Sequence, residues 1–343
     1  MRPALKSGLL PVWRDRDTLQ IGIDPRRAIA LSGMGQAAFV IGLLDGSRER
    51  DQLIAAAADH GIPALATERI LALLAAGGAL DDFPVSTLRE LPPALRAKLA
   101  PELATTSLAH GDGDGGARAL ARRRAAVVRI EGDQRIARAA TRILSAAGVG
   151  QVHFSQPPLT ARARAGDRGR PVSRAPEGGP KQPRRQQATR AGIANVPRPL
   201  MPDLVILAGR QPLERLAQLA RERVPHLAVM AGEAIGVVGP LVVPRRTACL
   251  LCLDYFRAGN DPAWPLILAQ LGRRSPEPPA CDAVLAAAVA AQAAAQALIA
   301  IDKNPVASAA ANGTLELVLP DWRWRRRTWQ PHPACPCSSH TGR

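Results

Sequence analysis

Two cysteine pairs constrain this chain more than anything else in it: Cys249-Leu250-Leu251-Cys252 and, far downstream, Cys335-Pro336-Cys337. Four of the five cysteines lie in these pairs. A CxxC and a CxC each aim two sulfurs at one point, and four thiolates complete a closed tetrahedral zinc site. A redox pair is the competing reading, but such a motif opens the helix of a thioredoxin-like βαβ unit and needs no second pair. The spacing therefore predicts a structural zinc held by Cys249, Cys252, Cys335 and Cys337. With sulfur in all four positions, nothing is left open for water or substrate, so this metal folds the chain and does no chemistry. The staple also places everything between the two pairs in one domain.

At 343 residues the length suggests two domains. Apolar residues, at 47%, suffice for packed cores, although only 3% are aromatic and alanine carries much of the rest. No secretory signal or long apolar span stands out, and Met1–Gly8 has no apolar core of its own. A cytoplasmic chain, off the membrane, is the expectation, and reduced thiols there favour zinc over disulfides. The net charge of +16 invites a nucleic-acid reading, but its distribution argues against one. Residues 155–200 hold ten Lys/Arg against two Asp/Glu, half of the excess. That stretch is rich in Pro, Gly, Gln and Arg, the composition of a disordered basic insertion, and has no aromatics to stack on bases.

The N-terminal residues, 1–83, read as a small sheet and three short helices. Pro11-Val12-Trp13 leads in, Leu19–Ile23 alternates with period two, and Ala28–Leu31 forms a third strand after the Asp24-Pro25 turn. Helices are expected over Gly35–Leu44, over Arg48–His60 capped by Ser47, and over Glu68–Ala76 capped by Thr67. Ile70, Leu73 and Leu74 should be the buried side of the third helix, and Leu71, Ala72 and Ala75 its outer side. Ala79-Leu80 returns as a wing strand. This is a winged-helix arrangement, which in other settings reads DNA. Here the third helix offers only Arg69 as a cation, and a mostly apolar face suits a peptide better than phosphates. The edge of the strand at Ile29, Ala30 and Leu31 is suited to accept an added peptide strand, with pockets beside Ile29, Leu31 and Leu73. A connector, 84–124, follows, with a short helix near Leu88–Leu99 and a flexible Gly-Asp run over Gly111–Gly116.

From Ala125 the pattern turns to βα alternation. Strands fall at Val127–Ile130, Gln151–Phe154, Leu204–Ala208 and His226–Met230. Helices fall at Arg135–Ala147, with Ile136, Ala140, Ile143 and Leu144 inward, and around Leu213–Arg223. Short continuous apolar runs between helices indicate an α/β fold with a mostly parallel, doubly wound sheet. Val237–Pro244 leads to Cys249, an Ala-rich helix spans Asp282–Ile301, and strands follow at Thr314–Leu319 and Trp322–Trp329. In the last of these, Trp322, Trp324 and Trp329 should pack on the domain with Arg323 and Arg325 outward; a protein-binding surface is the sharper alternative.

The run Gly239-Pro240 … Pro244-x-x-Thr247-Ala248-Cys249-x-x-Cys252, followed by an Ala-rich helix, a hairpin and a final cysteine pair, resembles the ThiF/MoeB-like, ubiquitin-activating-type adenylyltransferases over about residues 125–343. With the small N-terminal module attached, the chain more narrowly resembles the leader-peptide-binding proteins of azoline-forming (TOMM) peptide biosynthesis. The resemblance implies an N-terminal winged-helix module that holds the leader of a ribosomally made precursor. It also implies a ThiF-like, Rossmann-type domain that serves a YcaO-type cyclodehydratase, the partner that supplies the ATP-dependent chemistry. ThiF-like relatives are commonly dimers, so a homodimer is implied too.

The departures point away from catalysis by this chain. Members that activate a carboxylate carry G-x-G-x-x-G after the first strand. Here Gly132 remains, while Gln134 and Ala137 stand at the second and third glycines, and Asp133 puts negative charge where phosphates would lie. The ribose-binding acid falls on Gln156 and the magnesium-binding aspartate on Pro158. Losses at nearly every contact argue against ATP binding. Cys281 opens the long helix but has Asp282 beside it and no nearby His, so it reads as structural or incidental. His332 reads as a neighbour of the metal site, and His226 as a core histidine. The expected protein is thus a non-catalytic, zinc-stapled scaffold that presents a leader peptide to a partner enzyme. The rivals are an active adenylyltransferase on a peptide or sulfur carrier, and a winged-helix DNA-binding regulator.

Overall fold

The computed structural model describes residues 1–82, 91–155, 201–271 and 280–337. Three short strands, β2 (Pro11–Trp13), β3 (Leu19–Ile21) and β4 (Ile29–Leu31), form an antiparallel sheet in that order. Alternation buries Leu19 and Ile21, which meet Leu31, Val40, Leu53, Ile70 and Leu74 in one apolar core. A separate ribbon pairs β1 (Pro3–Leu5) with β5 (Leu80–Asp82). The return strand was legible; Pro-Ala-Leu is too short to show a period, so its partner was not.

Three helices, α1 (Phe39–Gly42, after a 3-10 turn at Gly35–Ala38), α2 (Arg50–Asp59) and α3 (Ala64–Ala76), close this core. Both expected caps move. Glu49 and Gln52 form a capping box at the start of α2, with the Glu49 amide donating to Gln52 Oε1 at 3.0 Å, and Ser47 lies outside it. Pro63, with its φ preset, starts α3; Thr67 is buried one turn inside, its hydroxyl donating to the Pro63 carbonyl at 3.4 Å. A threonine that back-bonds to residue i−4 needs no cap position. The buried side of α3 runs through Thr67, Ile70, Leu71 and Leu74. Leu71 is buried, while Leu73 is 47% exposed.

The connecting stretch is more regular than expected. The helix α4 (Pro93–His110) continues eleven residues past Leu99, and α5 (Ala117–Ala125) follows the glycine run. The expected start of that helix, at Leu88, lies outside the described residues. Between them Gly111, Gly113, Gly115 and Gly116 all have positive φ. Gly116 cannot be replaced freely, because a Cβ there would stand 2.8 Å from the Leu103 carbonyl. Buried Asp114 accepts from the amides of Gly116 and Arg118, each at 3.0 Å.

Two buried charge clusters bind α4 and α5 to their surroundings. Lys6 Nζ, on the N-terminal side, sits 3.0 Å from Asp81 Oδ1 and donates at 2.8 Å to both the hydroxyl and the carbonyl of Ser107 on α4. On the other side Arg123 of α5 grips Asp302, with contacts of 2.8 and 2.6 Å, and donates to the Ala147 carbonyl at 3.1 Å. His110 Nε2 lies 3.5 Å from the same carboxylate.

The large sheet has the order β12-β11-β10-β9-β8-β6-β7. Strands β6 (Val127–Gly132), β7 (Gln151–Ser155), β8 (Leu204–Ala208) and β9 (His226–Gly232) are parallel, as the apolar runs predicted. The sheet is nevertheless mixed: β10 (Ile235–Val242), β11 (Gly313–Val318) and β12 (Arg323–Thr328) are antiparallel. Helices α6 (Gln134–Ala146) and α10 (Ala283–Asp302) cover one face, where Ile130, Ile136, Leu144, Ile206, Leu227 and Val289 form the main core. Ile143, expected inward, is 36% exposed. Helix α7 (Leu213–Arg221) covers part of the other face through Leu219 against Val205 and Leu207.

Contrary to the sequence reading, α10 is long and apolar enough, by composition, to cross a membrane; among the described residues it is the one helix that is. Its Leu285, Val289, Ala293 and Ala297 are wholly buried against the sheet, and a core helix passes the same test. A second correction concerns the last strand. Every residue of β12 is exposed, and Trp322 and Trp324 do not pack under the domain.

Candidate metal centre and peptide edge

Cys249 is the N-cap of helix α8 (Leu250–Asn260), which α9 (Trp264–Leu271) follows, and Cys252 lies within the first turn of α8, so an i, i+3 spacing puts both sulfurs on one side. The stretch after β12 folds back over them, and the Cys335 amide donates to the His332 carbonyl at 2.9 Å. All four sulfurs lie within 4.8 Å of one another. The separations are 3.7 Å for Cys249–Cys252, 3.7 Å for Cys249–Cys335 and 3.2 Å for Cys252–Cys337. Sulfurs placed about 2.3 Å from a central ion at tetrahedral corners are about 3.8 Å apart, so the set fits a metal ion. Ala248, Leu253 and Trp329 pack around it.

Electrostatics supports the same conclusion. Burial pushes the thiols of Cys249 and Cys337 up, the latter to about 12. Burial acts on Cys252 too, but hydrogen bonds from the His332 and Cys249 backbone and from neighbouring thiols outweigh it and hold this thiol below its ordinary value. Four sulfurs ionise together in such a space only around a cation. His332 touches the cysteine loop without reaching the centre: its ring stacks on Tyr255 at 5.1 Å, meets Phe256 edge-on at 4.7 Å, and accepts from the Ala334 amide at 3.2 Å.

The residues expected to hold a peptide form a second cluster. β4 pairs with β3 alone, in the register Leu19↔Leu31, Gln20↔Ala30 and Ile21↔Ile29, and among the described residues its other edge has no partner. Leu31 is buried, Ile29 half-buried and Ala30 exposed. Ile29 Cδ1 occupies the space where a Cβ on Gly77 would stand, at the C-terminal end of α3, one turn past Leu73. An open strand edge therefore runs beside a helix whose outward face shows Leu65, Leu73 and Arg69. Of these, Leu65 was missed by the sequence reading, because the helix was started four residues too late.

The third place is the turn from β6 to α6. Gly132 has φ +114°, and a Cβ there would stand 1.8 Å from the Ala208 carbonyl oxygen, so the turn requires glycine. Asp133 caps α6, its Oδ1 accepting from the amides of Arg135 at 2.8 Å and Ile136 at 3.3 Å. These are amides that a helix N-terminus would otherwise turn toward an anion. Gln134 is exposed and Ala137 fully buried. Gln156 and Pro158 lie outside the described residues. Arg135 donates to the Cys281 carbonyl, tying this turn to the start of α10. Burial, foremost, raises the Cys281 thiol, against the pull of Arg135, which is not the setting of a nucleophile. His226 is buried, bonded through Nδ1 to the Val224 carbonyl at 3.0 Å, and depressed by desolvation.

No family model and no curated protein matches the sequence. Solved structures do. The heterocyclase TruD superposes with a TM-score of 0.63 at 16% identity, over 98% of this chain and 42% of TruD. MccB of E. coli, in complex with AMPCPP and MccA, gives 0.62 at 14%, over 99% of this chain and 100% of MccB. This chain shares their fold. A further MccB complex, of the microcin C7 biosynthetic enzyme with N-formylated MccA, gives 0.59 at 14% over 98% and 100%. The chain thus spans less than half of TruD and the full length of MccB.

Proposed function

We propose that this chain is a non-catalytic scaffold in the biosynthesis of ribosomally made, modified peptides. In this reading residues 1–83 act as a winged-helix recognition element and 84–124 as a connector. Residues 125–343 are a ThiF-like, Rossmann-type domain stapled by zinc on Cys249, Cys252, Cys335 and Cys337. A precursor's leader adds to β4 as a strand, main-chain hydrogen bonds giving affinity, with side chains seated beside Ile29, Leu31 and Leu73 and Arg69 at the rim. The core of the peptide then reaches a YcaO-type cyclodehydratase, which cyclises Cys, Ser or Thr onto the backbone.

The open β4 edge beside the apolar face of α3 carries the reading. The fold shared with MccB, whose complexes contain the peptide MccA, supports it. The Asp133 cap supports the absence of ATP chemistry in this chain. The test is fluorescence anisotropy with the leader of a precursor encoded beside this gene. Ile29→Asp and Leu31→Asp should each abolish binding while zinc content stays unchanged; retained affinity in both would refute the site.

One observation favours the adenylyltransferase reading, since MccB also occurs in complex with ATP and with AMPCPP. Pyrophosphate exchange dependent on this chain and on ATP would establish it in place of the scaffold. The DNA reading has only Arg69 to offer on α3, too little to anchor a helix on phosphates.

A further inference from the structure

Beyond β9 the two faces of the large sheet are covered to different extents. Leu227, Val229, Ala231, Val238, Leu315 and Leu317 are buried against the main core. On the opposite face Thr314 is buried and accepts from the Trp329 indole, whereas Met230 is 46% and Val318 37% exposed. Cross-strand register sets Met230 beside Val237, and Val318 between Ile235 and Arg323. The same register continues along β12, setting Arg325 opposite Glu316 and Arg327 opposite Thr314. An apolar strip therefore runs out to a row of three arginines on a strand that pairs with β11 alone, its outer edge unpaired among the described residues.

We propose that the outer edge of β12 receives an extended acidic segment of a partner protein as an eighth strand. The arginines would grip its carboxylates, and Trp322 and Trp324 would supply apolar contact. Charge selects this occupant. Residues Asp321–Trp329 carry four arginines against one aspartate. Arg326 is committed to the carbonyls of Ala309 and Ala311, Arg325 and Arg327 lean on Asp321 and Glu316, and Arg323 makes no side-chain ion pair among the described residues. A second copy of this chain is excluded as the occupant, since pairing two β12 strands sets arginine rows against each other, and like charges directly opposite destabilise a sheet. Charge alone would suffice to keep an edge from pairing wrongly; it does not account for two exposed tryptophans beside it. An unpaired row of amides and carbonyls matches the spacing of a polypeptide strand, not that of phosphates. The proposal is independent of the leader and nucleotide readings.

The test uses the full, zinc-loaded chain and three fluorescein-labelled probes. These are a ten-residue peptide alternating Glu and Val, the same peptide with Lys for Glu, and a single-stranded oligonucleotide of equal negative charge. The Glu peptide should bind, the Lys peptide should not, and Arg323→Glu with Arg325→Glu should weaken binding at least about tenfold. The milder Arg323→Gln with Arg325→Gln pair, with an unchanged melting temperature, should weaken it less. Hydrogen exchange should slow on binding at residues 323–328. Three outcomes would overturn the proposal: no binding of the Glu peptide, binding indifferent to these variants or protected elsewhere, or tighter binding of the oligonucleotide with the same dependence on Arg323 and Arg325.

Discussion

Replacing Cys335 by serine keeps the shape of the side chain and removes one of the four sulfurs proposed to hold the metal. The cost can be worked from the chain path. Cys335 and Cys337 each lie 85 or 86 residues from their sulfur neighbours on α8. Closing a loop of that length costs about 4 kcal/mol of chain entropy, by (3/2)RT ln n, which a bound metal would supply and the open loop would not. A chain of 343 residues unfolds with an entropy of about 0.7 kcal/mol/K, so the melting temperature should fall by about 6 °C. That figure is a floor, because Cys335 is buried with Cys252, Ala248 and Leu253 in a small cluster that opens with the loop. The assay is paired: thermal melting followed by fluorescence, and zinc quantified with a chromogenic chelator after denaturation. Wild type should release one equivalent, and Cys335→Ser much less. A variant that melts within a degree of wild type, or a wild-type chain that melts unchanged after exhaustive chelation, would show that the sulfurs do not staple the fold.

Three further outcomes follow from buried groups. Arg123→Met leaves the Asp302 carboxylate buried without its guanidinium and should cost about 3–5 kcal/mol in urea denaturation, much of it recovered when Asp302→Leu is added. Gly132→Ala meets both a backbone clash with Ala208 and a left-handed φ of +114°, and should lower stability by more than about 2 kcal/mol; an unchanged melting curve would contradict the tight β6–α6 turn. His226 has its pKa held below 6.5 by burial. Its contribution to stability is therefore present above pH 6.5 and lost as pH falls through the depressed value, so His226→Leu should flatten the acid side of a stability–pH profile.

What the sequence revealed and what it hid divides along distance in the chain. The metal set was legible because two short spacings, 249–252 and 335–337, each fix a pair of sulfurs locally, leaving only their meeting to the fold. The parallel strands were legible from apolar runs, since burial on both faces leaves a continuous signature at β8. The contacts that seat the connecting helices were not: Arg123 and Asp302 stand 179 positions apart, and Lys6 and Ser107 stand 101. Nothing local marks Lys6 as the buried lysine or Arg123 as the buried member of three consecutive arginines. The faces of α3 were misassigned for a different reason. Thr67 imitates a cap, which hid Leu65 and took out of the pattern the buried residue that decides between Leu71 and Leu73 as the flank of Ile70 and Leu74. At β12 the alternation of tryptophan and arginine resembled a half-buried strand, yet the residues on both of its sides are exposed.

The paired charges at Lys6–Asp81 and Arg123–Asp302 have a mechanical consequence. They clasp the α4–α5 helices from both ends, so the edge-bearing module is splinted to the large sheet and not tethered by a loose cord. Cargo seated on that edge would depart along one fixed heading, and how far its tail travels would depend on its own length instead of on any swing of the carrier. A partner built to act on that tail would then measure residues from the dock, as a ruler does from its end stop.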